Sequence, residues 1–187
     1  FEIGHSVRNE DADTTHNPEF TMLELYSAYS DYEDMMGLTE RLVSSIVESV
    51  RGTLSIEYDG HEIYLSTPWN RIDYIESIED EVNAPLDSLS EEEVLSIAQD
   101  ELDERFSDRY HAYEELYDSL VEPELYDPHF VVNHPRSSTP LCSTLPDDES
   151  RVERFEVVVG GMELANAYSE LTDPIEQRER LIEQADG

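Results

Sequence analysis

Two stretches of the chain carry residues whose types and spacing could do chemistry. The first reads Val7-Arg8-Asn9-Glu10 and then Thr15-His16-Asn17-Pro18-Glu19-Phe20-Thr21-Met22-Leu23-Glu24. The second reads Arg154-Phe155-Glu156 and then Gly160-Gly161-Met162-Glu163-Leu164-Ala165-Asn166-Ala167-Tyr168-Ser169-Glu170-Leu171. An arginine at the end of an alternating run offers a planar fork that suits a phosphate oxygen better than an ammonium does. Phe20, Met22, Glu24 and Tyr26 alternate onto one face of a strand, which brings an acid and a phenol to the same side. Asn166 and Glu170 stand two same-face steps apart, with Tyr168 between them. Spacing alone carries little weight here, because 46 residues are aspartate or glutamate. Strict alternation also turns Glu163 away from Asn166 and Glu170, so a bulge or the Gly160-Gly161 turn must reconcile them if they share a site.

The wording of these stretches is more specific than their periodicity. The first resembles the second signature motif of the class II aminoacyl-tRNA synthetases, and HNPEFTMLE followed by YSAYSDY resembles the lysine-specific members. The second stretch matches the same family, and a weaker third block, Asp127-Pro128 through His134-Pro135 and Thr139-Pro140-Leu141, lies between them in the right order. The resemblance covers nearly the whole chain and implies the central part of a lysyl-tRNA synthetase catalytic domain. It implies a class II α+β fold, an antiparallel β-sheet flanked by helices, as one partial domain over residues 1–187. The implied activity is ATP-dependent activation of lysine and its ligation to tRNA(Lys), with ATP as substrate and Mg²⁺ as cofactor.

Residue by residue, the resemblance gives Arg8 the α-phosphate and the catalytic role. Glu10 would accept from the adenine amino group, Phe20 would stack on the base, and His16 and Asn17 would contact the phosphates. Glu24, Tyr26, Asn166, Tyr168 and Glu170 would surround lysine. Glu156 and Glu163 would hold Mg²⁺ with the ATP phosphates, in keeping with that ion's preference for hard oxygen donors. No protein nucleophile is needed; catalysis would come from positioning and from positive charge on the phosphates. The alternatives are a non-catalytic lysine or nucleotide sensor and a ligase that acts on a protein acceptor.

The chain departs from the family pattern in several places. Val7 stands where the lysine enzymes carry Phe, and Asp11 stands where they carry Gly, adding negative charge near the expected triphosphate. Thr139-Pro140-Leu141-Cys142-Ser143 lacks the small and basic residues that follow that Pro-Leu. The expectation is that no anticodon-binding barrel precedes Phe1, and that the first motif, which builds the family's homodimer interface, and the third motif are missing. The expectation is a fragment or a decayed paralogue that is inactive alone.

Composition sets the physical frame. The 187 residues include 11 basic ones, every one an arginine, and the formal net charge is −35. Such charge repels itself and destabilises a compact state unless it is screened. Yet 38% of residues are hydrophobic and the apolar positions are periodic, so a folded core is expected. At about 1 M salt the Debye length is roughly 3 Å, and a salt-adapted (halophilic) protein is the simplest reading; an acidic interaction module is the other. A single cysteine, Cys142, excludes an internal disulfide and fits a reducing compartment. No apolar run approaches the roughly 20 residues of a membrane span, so a cytoplasmic protein without membrane association is expected.

Pattern along the chain gives the elements. The first twenty-nine residues read as two antiparallel strands, the second over Glu19 to Tyr26, joined by a polar loop over Asn9 to Pro18. Asp31 to Val50 reads as a helix with Met35, Leu38, Leu42, Val43 and Ile46 inward. Strands flank Asp59-Gly60, a hairpin signal. Trp69 to Glu81 reads as a short helix. Ser90 to Arg105 is a helix opened by a Ser90–Glu93 capping box. Arg109 to Val121 is another, stopped by Pro123. Phe130 to Val132 is a strand, Arg136 to Ser150 a loop, and Val152 to Val159 and Leu164 to Leu171 are strands about the Gly160-Gly161 turn. Pro174 opens a terminal helix. Turn-linked strands favour an antiparallel sheet with helices segregated to one side.

If self-repulsion governs this surface, the fold forms in molar KCl and fails in dilute buffer. Circular dichroism against salt concentration measures it; full helicity at about 0.05 M salt, where screening is weak, contradicts the reading.

Overall fold

The computed structural model describes residues 1–9 and 17–186, and the chain divides into two compact units, residues 1–30 and 31–187. The first unit is an antiparallel hairpin of β1 (Glu2–Val7) and β2 (Glu19–Glu24). Register runs from Val7 opposite Glu19 to Glu2 opposite Glu24. β2 therefore stops two residues before the expected Tyr26. Most of the expected loop lies outside the described residues.

In the second unit, α1 (Tyr32–Arg51) starts where Asp31 accepts from the Asp34 amide, at 3.0 Å, and ends at Gly52 with φ 71°. Its inward residues are Tyr32, Met35, Met36, Val43 and Val47. Ile46, expected inward, is 51% exposed; the steps from 32 to 36, 43 and 47 follow the helical repeat more closely than the stripe that included it. β3 (Ser55–Tyr58) and β4 (His61–Tyr64) form the expected hairpin about Asp59-Gly60.

The helix expected over Trp69 to Glu81 is instead a short strand, β5 (Asn70–Asp73), followed by α2 (Tyr74–Val82). Asp73 closes the strand and opens the helix, its Oδ1 accepting from the amides of Ile75 and Glu76 at 3.0 and 3.1 Å. A four-residue strand with Ile72 as its only aliphatic residue leaves no periodic signal. It exists because it pairs in parallel with a distant strand, β6 (His129–Val132).

α3 (Glu91–Leu102) has the expected capping box, with Ser90 and Glu93 bonded in both directions, and it ends early at Asp103 with φ 56°. α4 (Arg109–Leu116) continues into a π turn, Tyr117–Val121, before Pro123. The expected loop over Arg136 to Ser150 contains two short paired strands, β7 (Thr144–Leu145) and the start of β8 (Asp148–Val152). β9 (Arg154–Val158), β10 (Glu163–Tyr168) and α5 (Pro174–Asp186) complete the unit.

The central sheet runs β10-β9-β6-β5, antiparallel except for the β5–β6 pair. The fold is α+β as expected, but helices cover both faces of this sheet and not one. On one face, Val131 and Val158 pack with Ile78, Leu86, Val94 and Leu116 from the α2–α4 layer. On the other, Phe130, Phe155 and Val157 pack with Met36 of α1, Ile63, Leu65 and Trp69. Strand alternation decides which face each side chain takes, but the division of the core between two sets of helices was not legible in the sequence. Among the described residues, no helix is long and apolar enough to cross a membrane.

Asp118 sits on the π turn and its side chain reaches solvent, but partial loss of hydration, followed by repulsion from Glu114, Glu115, Glu156 and Glu163, raises its carboxyl from 3.8 to about 6. A folded-state value above the unfolded one means that the folded protein holds this proton more tightly. The associated stability is present below the unfolded value and is lost as pH rises through about 6. Asp118→Asn is therefore expected to raise the melting temperature at pH 7.5 and to leave it unchanged at pH 3.5, at one fixed salt concentration. Thermal unfolding at both pH values measures this; an equal shift at both, or a loss at pH 7.5, contradicts it.

Candidate active site

The hairpin unit places two of the expected nucleotide residues together. Arg8 follows β1 and its amide donates to the Pro18 carbonyl at 3.0 Å. Its guanidinium lies 5.4 Å from the centre of the Phe20 ring, within the range of a cation–π contact. Phe20 is half-buried, opposite Ser6. Asn17 accepts from the Glu19 amide at 3.3 Å, which fixes the entry to β2. Glu10, Asp11 and His16 lie outside the described residues. Glu24 is the last paired residue of β2, and Tyr26, past its end, is 81% exposed, so a shared strand face for these two does not hold.

The second unit places the other residues on β9, on β10 and just beyond β10. Asn166 pairs with Glu156 and Tyr168 with Arg154. Glu163 pairs with Val158, while Ala165 pairs with Val157, so one extra residue is inserted into β10 at this point. That bulge reverses the alternation. Glu163, Glu156, Asn166 and Tyr168 consequently share the sheet face that carries Val158. The Gly160-Gly161 turn sets the bulge up. Both glycines have positive φ, 65° and 71°, and a Cβ on Gly161 would meet the Pro123 carbonyl oxygen at 3.1 Å. The Gly160 and Gly161 amides donate to Tyr126 and Leu125, at 2.9 and 3.1 Å.

Glu170 lies two residues past β10, where it pairs across from Cys142. Its carbonyl accepts from the Ser143 hydroxyl at 2.9 Å. Its side chain is exposed, as is that of Glu24. The desolvated carboxylate expected at the end of a lysine pocket is therefore not found at either position.

Glu156 is an enclosed carboxylate, its side chain 12% exposed. Oε1 accepts from Arg154 Nη2 and, at 3.3 Å, from Asn166 Nδ2. Oε2 faces His134 Nε2 at 3.4 Å, without the alignment of a hydrogen bond. Burial pushes the Glu156 carboxyl up, but its contacts with His134 and Arg154 outweigh this and leave it below the usual range. Burial holds the His134 imidazole below its own usual range against the opposing pull of Glu156. With His134 neutral, Arg154 supplies the balancing charge. Tyr74 and Tyr117, stacked at 4.7 Å beside this group, stay protonated because burial and then nearby carboxylates oppose phenolate formation.

The donor set suits Mg²⁺. Two carboxylates, Glu156 and Glu163, stand on one face. Among the described residues, no group of three or more His, Cys, Asp or Glu forms a ready cage. Mg²⁺ needs none, since it commonly takes one or two carboxylates and completes its shell with phosphates and water.

Three residues here had no assigned role in the sequence. Arg154 and His134 stood inside the matched blocks, and a buried partner for Glu156 was the signal that could have picked them out. Asp118 gave no signal, because it reaches this region only through the π turn.

The family model for class II tRNA synthetases (D, K and N) matches residues 1–186. The chain is 42% identical to a lysine–tRNA ligase of Halalkalibacterium halodurans, over 98% of this chain and 37% of that protein. It is 44% identical to the lysine–tRNA ligase of Pelotomaculum thermopropionicum, over 100% of this chain and 38% of that protein. It is 43% identical to that of Saccharolobus solfataricus, over 95% and 36%. The chain thus spans a little over a third of the length of these curated relatives. On these matches, the chain belongs to the class II tRNA synthetases of the D, K and N group.

Proposed function

We propose that this chain forms the central part of a lysine–tRNA ligase, activating lysine with ATP and passing it to tRNA(Lys). The observation that carries the reading is the β10 bulge, which gathers Glu156, Glu163, Asn166 and Tyr168 on one sheet face. The match to relatives named lysine–tRNA ligase along almost the whole chain supports it. In the family reaction the lysine carboxylate attacks the α-phosphate of ATP and pyrophosphate leaves.

Each residue group has a part in that step. Arg8 offers a planar fork to the α-phosphate and stabilises the charge that develops there. Phe20 stacks on adenine, Glu10 accepts from its amino group, and His16 and Asn17 touch the phosphates. Glu156 and Glu163 would hold Mg²⁺, which would neutralise charge on the departing phosphates. Asn166 and Tyr168 orient lysine, and Glu24, Tyr26 and Glu170 serve its ammonium. These carboxylates, exposed in this chain, would favour lysine through charge-assisted contacts with its ammonium. The same reading takes the protein as cytoplasmic and halophilic and, as a complete ligase, as a homodimer.

Glu170→Gln in the full-length protein tests the lysine assignment. Losing one charged partner of the ammonium is expected to raise the lysine KM by about tenfold or more, with the ATP KM nearly unchanged. Lysine-dependent pyrophosphate exchange measures both constants. An unchanged lysine KM, or an equal loss for ATP, contradicts the assignment.

A further inference from the structure

Arg154 reaches from β9 across to β10 and touches both halves of the proposed site. Its Nη2 donates to Glu156 Oε1, its Nε to Asn166 Oδ1 at 3.3 Å, and its Nη1 to Ser138 Oγ at 3.3 Å. Asn166 Nδ2 donates back to the same Glu156 oxygen at 3.3 Å. The three side chains therefore close a ring. Only one orientation of the Asn166 amide satisfies it, since the flipped amide would set its NH₂ against the guanidinium and its oxygen against the carboxylate.

We propose that Arg154 is a positioning residue that ties the Glu156 carboxylate to the Asn166 amide, so that the metal and lysine halves of the site are set together. The proposal rests on the lysine ligase reading of that site. Arg154 is 15% exposed at its side chain and Glu156 12%, so neither is loosely solvated. A planar fork with fixed donor directions can serve three acceptors on separate segments; a lysine ammonium at this position would supply the charge without that geometry. Rotation of Glu156 toward a ligand pulls on Arg154, and Arg154 in turn releases or holds the Asn166 oxygen. Occupation of one half is thereby felt at the other without any contact between the two ligands, which is a coupling free energy in the strict sense.

The test uses the full-length protein with Arg154→Lys and Arg154→Met. Lysine binding is measured by calorimetry without nucleotide and again with Mg²⁺ and a non-hydrolysable ATP analogue. In the parent protein the two lysine affinities are expected to differ, and equal affinities overturn the proposed coupling. In Arg154→Lys, lysine binding without nucleotide is expected to weaken about tenfold, the scale of one charge-assisted hydrogen bond, and the difference between the two conditions is expected to vanish. Melting temperature and circular dichroism check the fold, and Arg154→Lys retains the charge if Arg154→Met fails to fold. Unchanged lysine affinity and coupling in a folded Arg154→Lys protein overturn the proposal. A second readout is the Asn166 side-chain amide by NMR, whose protons exchange slowly in the parent and rapidly in Arg154→Lys. If the parent binds no lysine, the functional reading fails and this NMR signal alone decides whether Arg154 positions Asn166.

Discussion

The second unit is built around a carboxylate that it must keep charged while nearly removing it from water. Glu156 lies in the third strand of the central sheet order from its β5 edge, between the apolar Val131 and the paired Asn166. An isolated buried carboxylate is costly enough that it normally takes up a proton instead. In a chain of net charge −35, the surrounding field makes ionisation harder still. Arg154 resolves the conflict locally, with Asn166 completing the hydrogen bonding and His134 kept neutral by burial. Breaking such a pair by removing one partner strands the other, which is why neither residue is freely replaceable.

The second constraint is register. A sheet with a period of two would separate Glu163 from Glu156 and Asn166, and one inserted residue puts them on a common face. The insertion depends on a turn that only glycine can make, because Gly161 combines a left-handed backbone with close approach to Pro123. A local feature of the backbone, two residues long, thus determines whether three polar side chains can act on one ligand set.

Much of this was legible in the chain itself. The capping box at Ser90, the hairpin at Asp59-Gly60, the glycine turn and the helix after Pro174 are local signals, and each formed where the sequence placed it. The clash of faces between Glu163 and Asn166 was also visible, and it demanded either a bulge or the Gly160-Gly161 turn without showing which. What escaped was non-local. β5 is held by a parallel partner that begins more than fifty residues away, so Asn70 to Asp73 look helical or structureless in isolation. The parallel pair and the helices on both sheet faces follow from that one missed strand. Arg154 was hidden for a different reason: with acids everywhere, an arginine two residues from a glutamate carries no information until burial shows which glutamate needs it.

The proposed function requires that an acidic site on this scaffold select lysine within a family whose model also covers the D and N types. The most direct measurement is ATP–pyrophosphate exchange by the full-length protein at high KCl, with lysine, aspartate and asparagine supplied separately. The account predicts exchange with lysine and none above background with the other two. Comparable exchange with aspartate or asparagine would contradict it.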